Sequence, residues 1–277
     1  MKEGMNSMGF GNMMKSAMSS DTTSNGGSRM PNVFLDVKEG KRTFRFIPDV
    51  NNPGEPLQGE IVMSLWMPVK RDGIMVERRV FIDDSARRVL PETIREKIKN
   101  RFFLNVYDRT RVIKMADGSV VYPNPKNEFW KKDGDRNAQI ADIRPEPNNA
   151  IMVLEGSVSF RTDRRGGLLN DIDDLSKTLF DEEGTKLIPI TEVDIEMVTR
   201  GTGMATTRTV HPGMNREPFP KSALELPVYD LKAFTKPWPV QAIKALLDGA
   251  EYNEVLKNYN LVIVPQLSSA STEDSIF

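Results

Sequence analysis

Few side chains in this 277-residue chain are suited to making or breaking bonds. It has no cysteine, which excludes disulfides, thiolate zinc sites and cysteine nucleophiles together. The one histidine, His211, allows at most a single Ser-His-Asp arrangement. It lies in Thr209-Val210-His211-Pro212-Gly213, a strand end before a turn. A general base needs an orienting partner held against it, so this position suits a structural or ligand-contacting ring better. Phosphate loops of the G-x-x-x-x-G-K-[ST] type and H-E-x-x-H helices are absent from the sequence. The acidic runs Asp171-Ile172-Asp173-Asp174 and Asp181-Glu182-Glu183 read as a solvated helix with its acidic ends. The expectation is a non-enzyme without metal or cofactor.

Aromatic and basic side chains are better placed. Through Phe102–Arg109, strand alternation sends successive side chains to opposite faces. Phe102, Leu104 and Val106 make a core row. The other face carries Phe103, Asn105, Tyr107, Arg109 and, with the strand continued, Arg111. Two rings followed by two guanidiniums on an open face suit an unpaired nucleic-acid strand. Bases stack on the rings at roughly 1–3 kcal/mol each while the cations follow the phosphates. The competing arrangement sets Phe103 and Tyr107 against a second apolar layer.

Further clusters lie on turns. Trp66 shares a strand face with Ser64 and Lys70, Arg71 lies in the turn, and Arg78 and Arg79 are on the return strand. Trp130-Lys131-Lys132 follows Tyr122 in a Pro/Asn-rich loop. Arg200 and Arg208 flank Gly201-Thr202-Gly203, a turn that lets backbone approach a phosphate. With Arg45, the candidate contacts are Arg45, Trp66, Lys70, Arg71, Arg78, Phe103, Tyr107, Arg109, Arg111, Trp130, Lys131 and Arg208. The net charge is only −1, but it is unevenly spread. Residues 61–132 carry roughly +7 and residues 133–200 roughly −7, an asymmetry that can create a local attractive field.

Strands must position these residues. Thr43–Ile47 lies between Gly40 and Pro48. Glu60–Val69 and Gly73–Ile82 form a hairpin across Lys70-Arg71-Asp72-Gly73, where Asp-Gly is a turn signal. Pro91–Lys99 predicts a helix with proline at its first position. Strands are expected at Arg101–Thr110 and Ile151–Gly156, and an amphipathic helix at Gly167–Phe180. Asp194–Arg200 with Met204–His211 predicts a second hairpin, and Val240–Leu247 with Tyr252–Lys257 two closing helices. The fold class expected is α+β, mainly β: an OB-like Greek-key barrel with helical insertions and a C-terminal helical segment, over residues 33–265.

Outside that core, residues 1–32 read as a flexible arm, polar from Ser19 to Ser28 and methionine-rich before it. Residues 266–277 read as a flexible acidic tail. It presents Glu273, Asp274, Ile276 and Phe277 as a peptide for a pocket with a basic rim. No secretory signal or window of about 18 apolar residues occurs, pointing to a cytoplasmic location.

The order of these elements resembles the single-stranded-DNA-binding proteins of tailed bacteriophages, the group that includes the T-even helix-destabilising protein. The likeness rests on Thr43-Phe44-Arg45-Phe46-Ile47-Pro48 after a polar arm, a Trp66-bearing strand, Arg101–Arg109, and Asp194–Gly203. It extends loosely over residues 33–260. It implies an OB-like cleft lined by aromatic and basic side chains, and a duty of coating single strands in replication, recombination and repair. It also implies an N-terminal arm for self-association, an acidic tail that recruits replication proteins, and a location in the bacterial host cytoplasm. The zinc subdomain of the T-even protein has no counterpart, since cysteine is absent. The ending Glu273-Asp274-Ser275-Ile276-Phe277 is similar to the acidic, phenylalanine-terminated tips of bacterial single-strand binders, without their penultimate proline. A structural or virion-assembly protein, or a carboxylate-metal nuclease, are the alternative readings.

Overall fold

The computed structural model describes residues 33–35, 39–116, 120–123, 144–158, 167–181, 183–201 and 206–268. The strands are β1 (Gly40–Phe46), β2 (Glu60–Arg71), β3 (Ile74–Ile82), β4 (Lys99–Asp108), β5 (Arg111–Lys114), β6 (Val120–Val121), β7 (Glu146–Pro147), β8 (Ala150–Ser157), β9 (Ile195–Arg200) and β10 (Thr207–Pro212). The helices are α1 (Asp84–Val89), α2 (Glu92–Arg95), α3 (Leu168–Ser176), α4 (Lys221–Leu224), α5 (Leu231–Phe234), α6 (Val240–Leu247) and α7 (Tyr252–Asn258). Strands predominate in this mixed α/β architecture.

β4 organises the main sheet. One of its edges pairs with β8 from Arg101↔Ser157 to Asp108↔Ala150. The other edge is shared end to end: β2 takes Lys99–Phe103, and β1 takes Val106–Asp108. β1 continues into β9 and β10, and β2 into β3, all antiparallel. The resulting seven-stranded sheet is not closed by hydrogen bonds, so the expected closed barrel is absent from its ladder. A small ladder, β6-β5-β7, flanks the end of β4.

The Asp-Gly signal holds. Asp72 (φ 51°) and Gly73 (φ 77°) both take the left-handed conformation that a two-residue hairpin turn of type I′ requires. That turn fixes Arg71 opposite Ile74 and, five pairs back, Trp66 opposite Arg79. The second predicted hairpin, β9–β10, is also present. The helix expected over Pro91–Lys99 is shorter, because Lys99 already pairs with Ser64 at the start of β4. Before it comes α1, whose first turn is capped by the Asp83 carboxylate accepting from the Ala86 N–H at 2.7 Å.

Both faces of β4 are covered. Phe103 joins a core with Phe81, Val153, Phe234, Trp238, Ile243 and Tyr252, where α5, α6 and α7 pack over the β2–β3 hairpin. Phe102 and Val106 join another with Phe44, Phe46, Leu154, Ile195 and Met197, closed by Leu168 and Ile172 of α3. Alternation therefore holds along β4, but each side meets an apolar layer.

Two buried polar groups pin the strand ends. The Arg45 guanidinium is sealed, with Nε 2.7 Å from Asp194 Oδ1 and Nη1 donating to the Glu217 carbonyl at 2.5 Å. The Asp108 carboxylate accepts from the Thr110 N–H (2.9 Å), the Tyr122 hydroxyl (2.8 Å) and Asn148 Nδ2 (2.7 Å). Burial nevertheless raises the Asp108 pKa above the usual carboxylate range, those hydrogen bonds only partly opposing it.

Arg45→Met strands the Asp194 carboxylate, leaving Arg109 Nε at 3.9 Å as its remaining partner. It is expected to cost about 3 kcal/mol in urea unfolding. Because folded Asp108 holds its proton more tightly than the unfolded group, its contribution is full below the ordinary carboxyl pKa. It is lost as pH rises through the raised folded value. The stability of wild type relative to Asp108→Asn should therefore decline as pH rises above the ordinary carboxyl range, measured by urea melts over a pH series.

Candidate nucleic-acid interface

The face expected to receive bases is interior, which corrects the assignment of Phe103 and Tyr107 as an open stacking platform. Phe103 is fully buried and meets Phe81 and Phe234 edge-on, with centroids 5.6 and 5.4 Å away. Tyr107 is buried against Phe219 at 5.5 Å, beside Ile47 and Ile151. Between them Asn105 is spent on the backbone of Tyr229, donating from Nδ2 to its carbonyl (2.9 Å) and accepting its N–H (3.1 Å). The residues 219–234, including α4 and α5, supply this second layer.

The arginines of that face are likewise committed. Arg45 and Arg109 converge on the two oxygens of Asp194, at 2.7 and 3.9 Å, and Arg109 also lies 5.8 Å from the Tyr107 ring. Arg45 is thus a structural cation and not a phosphate contact. Arg111 is exposed on β5, its Nη2 donating to the Pro145 carbonyl at 3.4 Å. Lys70 pairs with Glu251 at 3.1 Å, and this contact is the first cause of the lowered Glu251 pKa. Arg71 lies 3.6 Å from Asp72 with its side chain mostly covered. Arg78 pairs across the hairpin with buried Met67, and so points away from the Trp66 side. Trp130, Lys131 and the tail residues Glu273, Asp274, Ile276 and Phe277 lie outside the described residues, as does the N-terminal arm.

A different cluster is available at the surface. Trp66 on β2 is 46 % exposed, and the Arg79 guanidinium lies 5.1 Å from its ring. Arg79 Nη1 reaches Glu155 Oε2 at 2.8 Å, and Arg101 Nη1 lies 3.7 Å from Glu155 Oε1. Arg208 on β10 completes the group. Half-burial lowers its pKa first, repulsion from Arg101 lowers it further, and Glu155 works against both. The Nε atoms of Arg79 and Arg208 are covered and find no acceptor among the described residues. Lys99, exposed at the start of β4, extends the positive surface.

The Arg79–Glu155 pair joins β3 to β8, strands separated by β2 and β4. On a flat sheet three spacings of about 4.8 Å would lie between them. Coiling of the β2–β3 hairpin brings them together. Of the sequence candidates, Trp66 and Arg208 belong to this cluster. Arg79, Arg101 and Glu155 were missed as site residues. Arg79 was recoverable, because a two-residue Asp72-Gly73 turn dictates its pairing with Trp66. Arg101 and Glu155 depend on coiling and on β4–β8 pairing across the 41 residues between Asp108 and Ala150, which no local pattern specifies.

Comparisons with protein families, with curated proteins and with solved structures find no match to this chain. No helix among the described residues is long and apolar enough to cross a membrane.

Phe103→Ala and Tyr107→Ala should each destabilise the fold by about 3–5 kcal/mol through lost apolar burial. Trp66→Ala should cost no more than about 1 kcal/mol, the scale of an exposed cation–π contact. Thermal and urea unfolding of the three variants checks this ordering.

Proposed function

We propose that the chain binds single-stranded DNA with little sequence preference, coating and protecting transient single strands in replication, recombination and repair, and that it does no bond chemistry. The observation that carries this is the half-exposed Trp66 ring stacked with Arg79 at the margin of a surface bearing Lys99, Arg101 and Arg208. An indole open on one side offers a sequence-tolerant platform for a base. Cations on the same surface can take the flanking phosphates, releasing counterions. The charge block over residues 61–132 supports the same reading, since Lys99, Arg79 and Arg101 come from it.

We take the open, coiled sheet as an OB-like barrel left unzipped between β3 and β8. Its mouth lies where Arg79 meets Glu155. The tail residues Glu273, Asp274, Ile276 and Phe277 are proposed to recruit replication and recombination proteins, and the arm to support self-association.

Titration of fluorescein-labelled oligo(dT) by anisotropy tests the DNA reading. Trp66→Ala is expected to lose about 1–3 kcal/mol of binding, the worth of one stacked base. Arg101→Ala and Arg208→Ala should each flatten the slope of log K against log salt by about one phosphate contact. Unchanged affinity and salt slope in all three would remove this surface from the interface.

A further inference from the structure

Two guanidiniums, Arg79 at 2.8 Å and Arg101 at 3.7 Å, hold one carboxylate, Glu155, and Arg208 lies near enough to feel the charges of Arg101 and Glu155. Surface arginines ordinarily disperse, because like charges brought together repel. Here Arg101 acts unfavourably on Arg208, whose guanidinium Nε is covered and finds no acceptor among the described residues. Glu155 sits on β8, its Cα paired with Phe103, and its two oxygens divide between Arg79 and Arg101. A carboxylate presents two anionic oxygens in nearly the geometry of two phosphate oxygens, and guanidinium forks accept either.

Resting on the strand-binding reading above, we propose that Glu155 is a resident competitor for the phosphodiester beside the base held on Trp66. In the free protein it occupies donors of Arg79 and Arg101. When a strand binds, a phosphate takes Arg101 and Arg208, and Glu155 retains Arg79 alone. The exchange serves two ends. It keeps the guanidiniums ordered without DNA, and it sets an anionic threshold that a weakly held polyanion does not cross. It also lowers affinity, as a protein that must leave the strand again requires.

Glu155→Gln keeps the shape and removes the charge. Glu155→Asp keeps the charge but is one methylene too short to serve both guanidiniums, and it decides the matter should the first variant fail to fold. Both should bind oligo(dT) more tightly than wild type, Glu155→Gln by about five- to tenfold, the scale of one charge-assisted hydrogen bond lost to competition. Inorganic phosphate, titrated against chloride at constant ionic strength, should show the same order. Glu77→Gln, an exposed carboxylate on the same hairpin, controls for net charge and should gain no more than about twofold, since an exposed charge is largely screened. Adding Arg208→Ala should abolish the gain.

Gains confined to the level of Glu77→Gln, or equal or weaker binding of both probes by both Glu155 variants, overturn the competitor role even where wild type binds DNA well. Tighter phosphate binding by the Glu155 variants, with no oligo(dT) binding by any protein, upholds it and overturns the strand-binding reading instead.

Discussion

β4 is hydrogen-bonded on both edges and covered on both faces, and most of the architecture follows from that double enclosure. β8 occupies one edge along nearly its full length, while β1 and β2 divide the other. A strand so placed has little side chain to offer solvent. Phe102 and Val106 serve one core, Phe103 another, and Tyr107 a third, smaller cluster. Burying rings of this size contributes several kcal/mol to folding. The aromatic row that sequence alternation puts on one face is real; its occupants are protein side chains.

Two carboxylates each receive two arginines, and burial decides what becomes of them. Asp194 and Arg45 are sealed, so removing either partner leaves an uncompensated charge in the interior. Glu155 and its partners are about one-fifth exposed, with Arg208 adding a third positive charge nearby. The first assembly holds β1 to the segment entering β9. The second is a surface on which charge is in excess. Arginine beside aromatic reads the same in both stretches of sequence. Only depth separates them.

Much of the secondary structure was legible because it rests on local chemistry. Asp72-Gly73 specifies its own turn and register, alternation marks β4, and Pro239 and Glu251 open α6 and α7 close to where apolar spacing puts them. What was hidden depends on contacts distant in sequence. Nothing within Phe103–Arg109 announces that residues 219–234 will cover it, and the partner of Arg45 lies 149 residues away. The short helix α2 yields to β4 for the same reason, since pairing with β2 overrides the helical propensity of Lys97–Lys99. Trp66 and Glu155 lie far apart in sequence and are linked only through Arg79, a meeting no local pattern announces.

Between β3 and β8 the rim is joined by side chains and not by a backbone ladder. A ladder yields cooperatively, several amides at a time, with the strands' registry at stake. A side-chain clasp opens when one ion pair lets go, and every strand stays where it was. The opening between the side chains on this rim can therefore widen or narrow by rotamer changes alone, an adjustable aperture in an otherwise fixed frame.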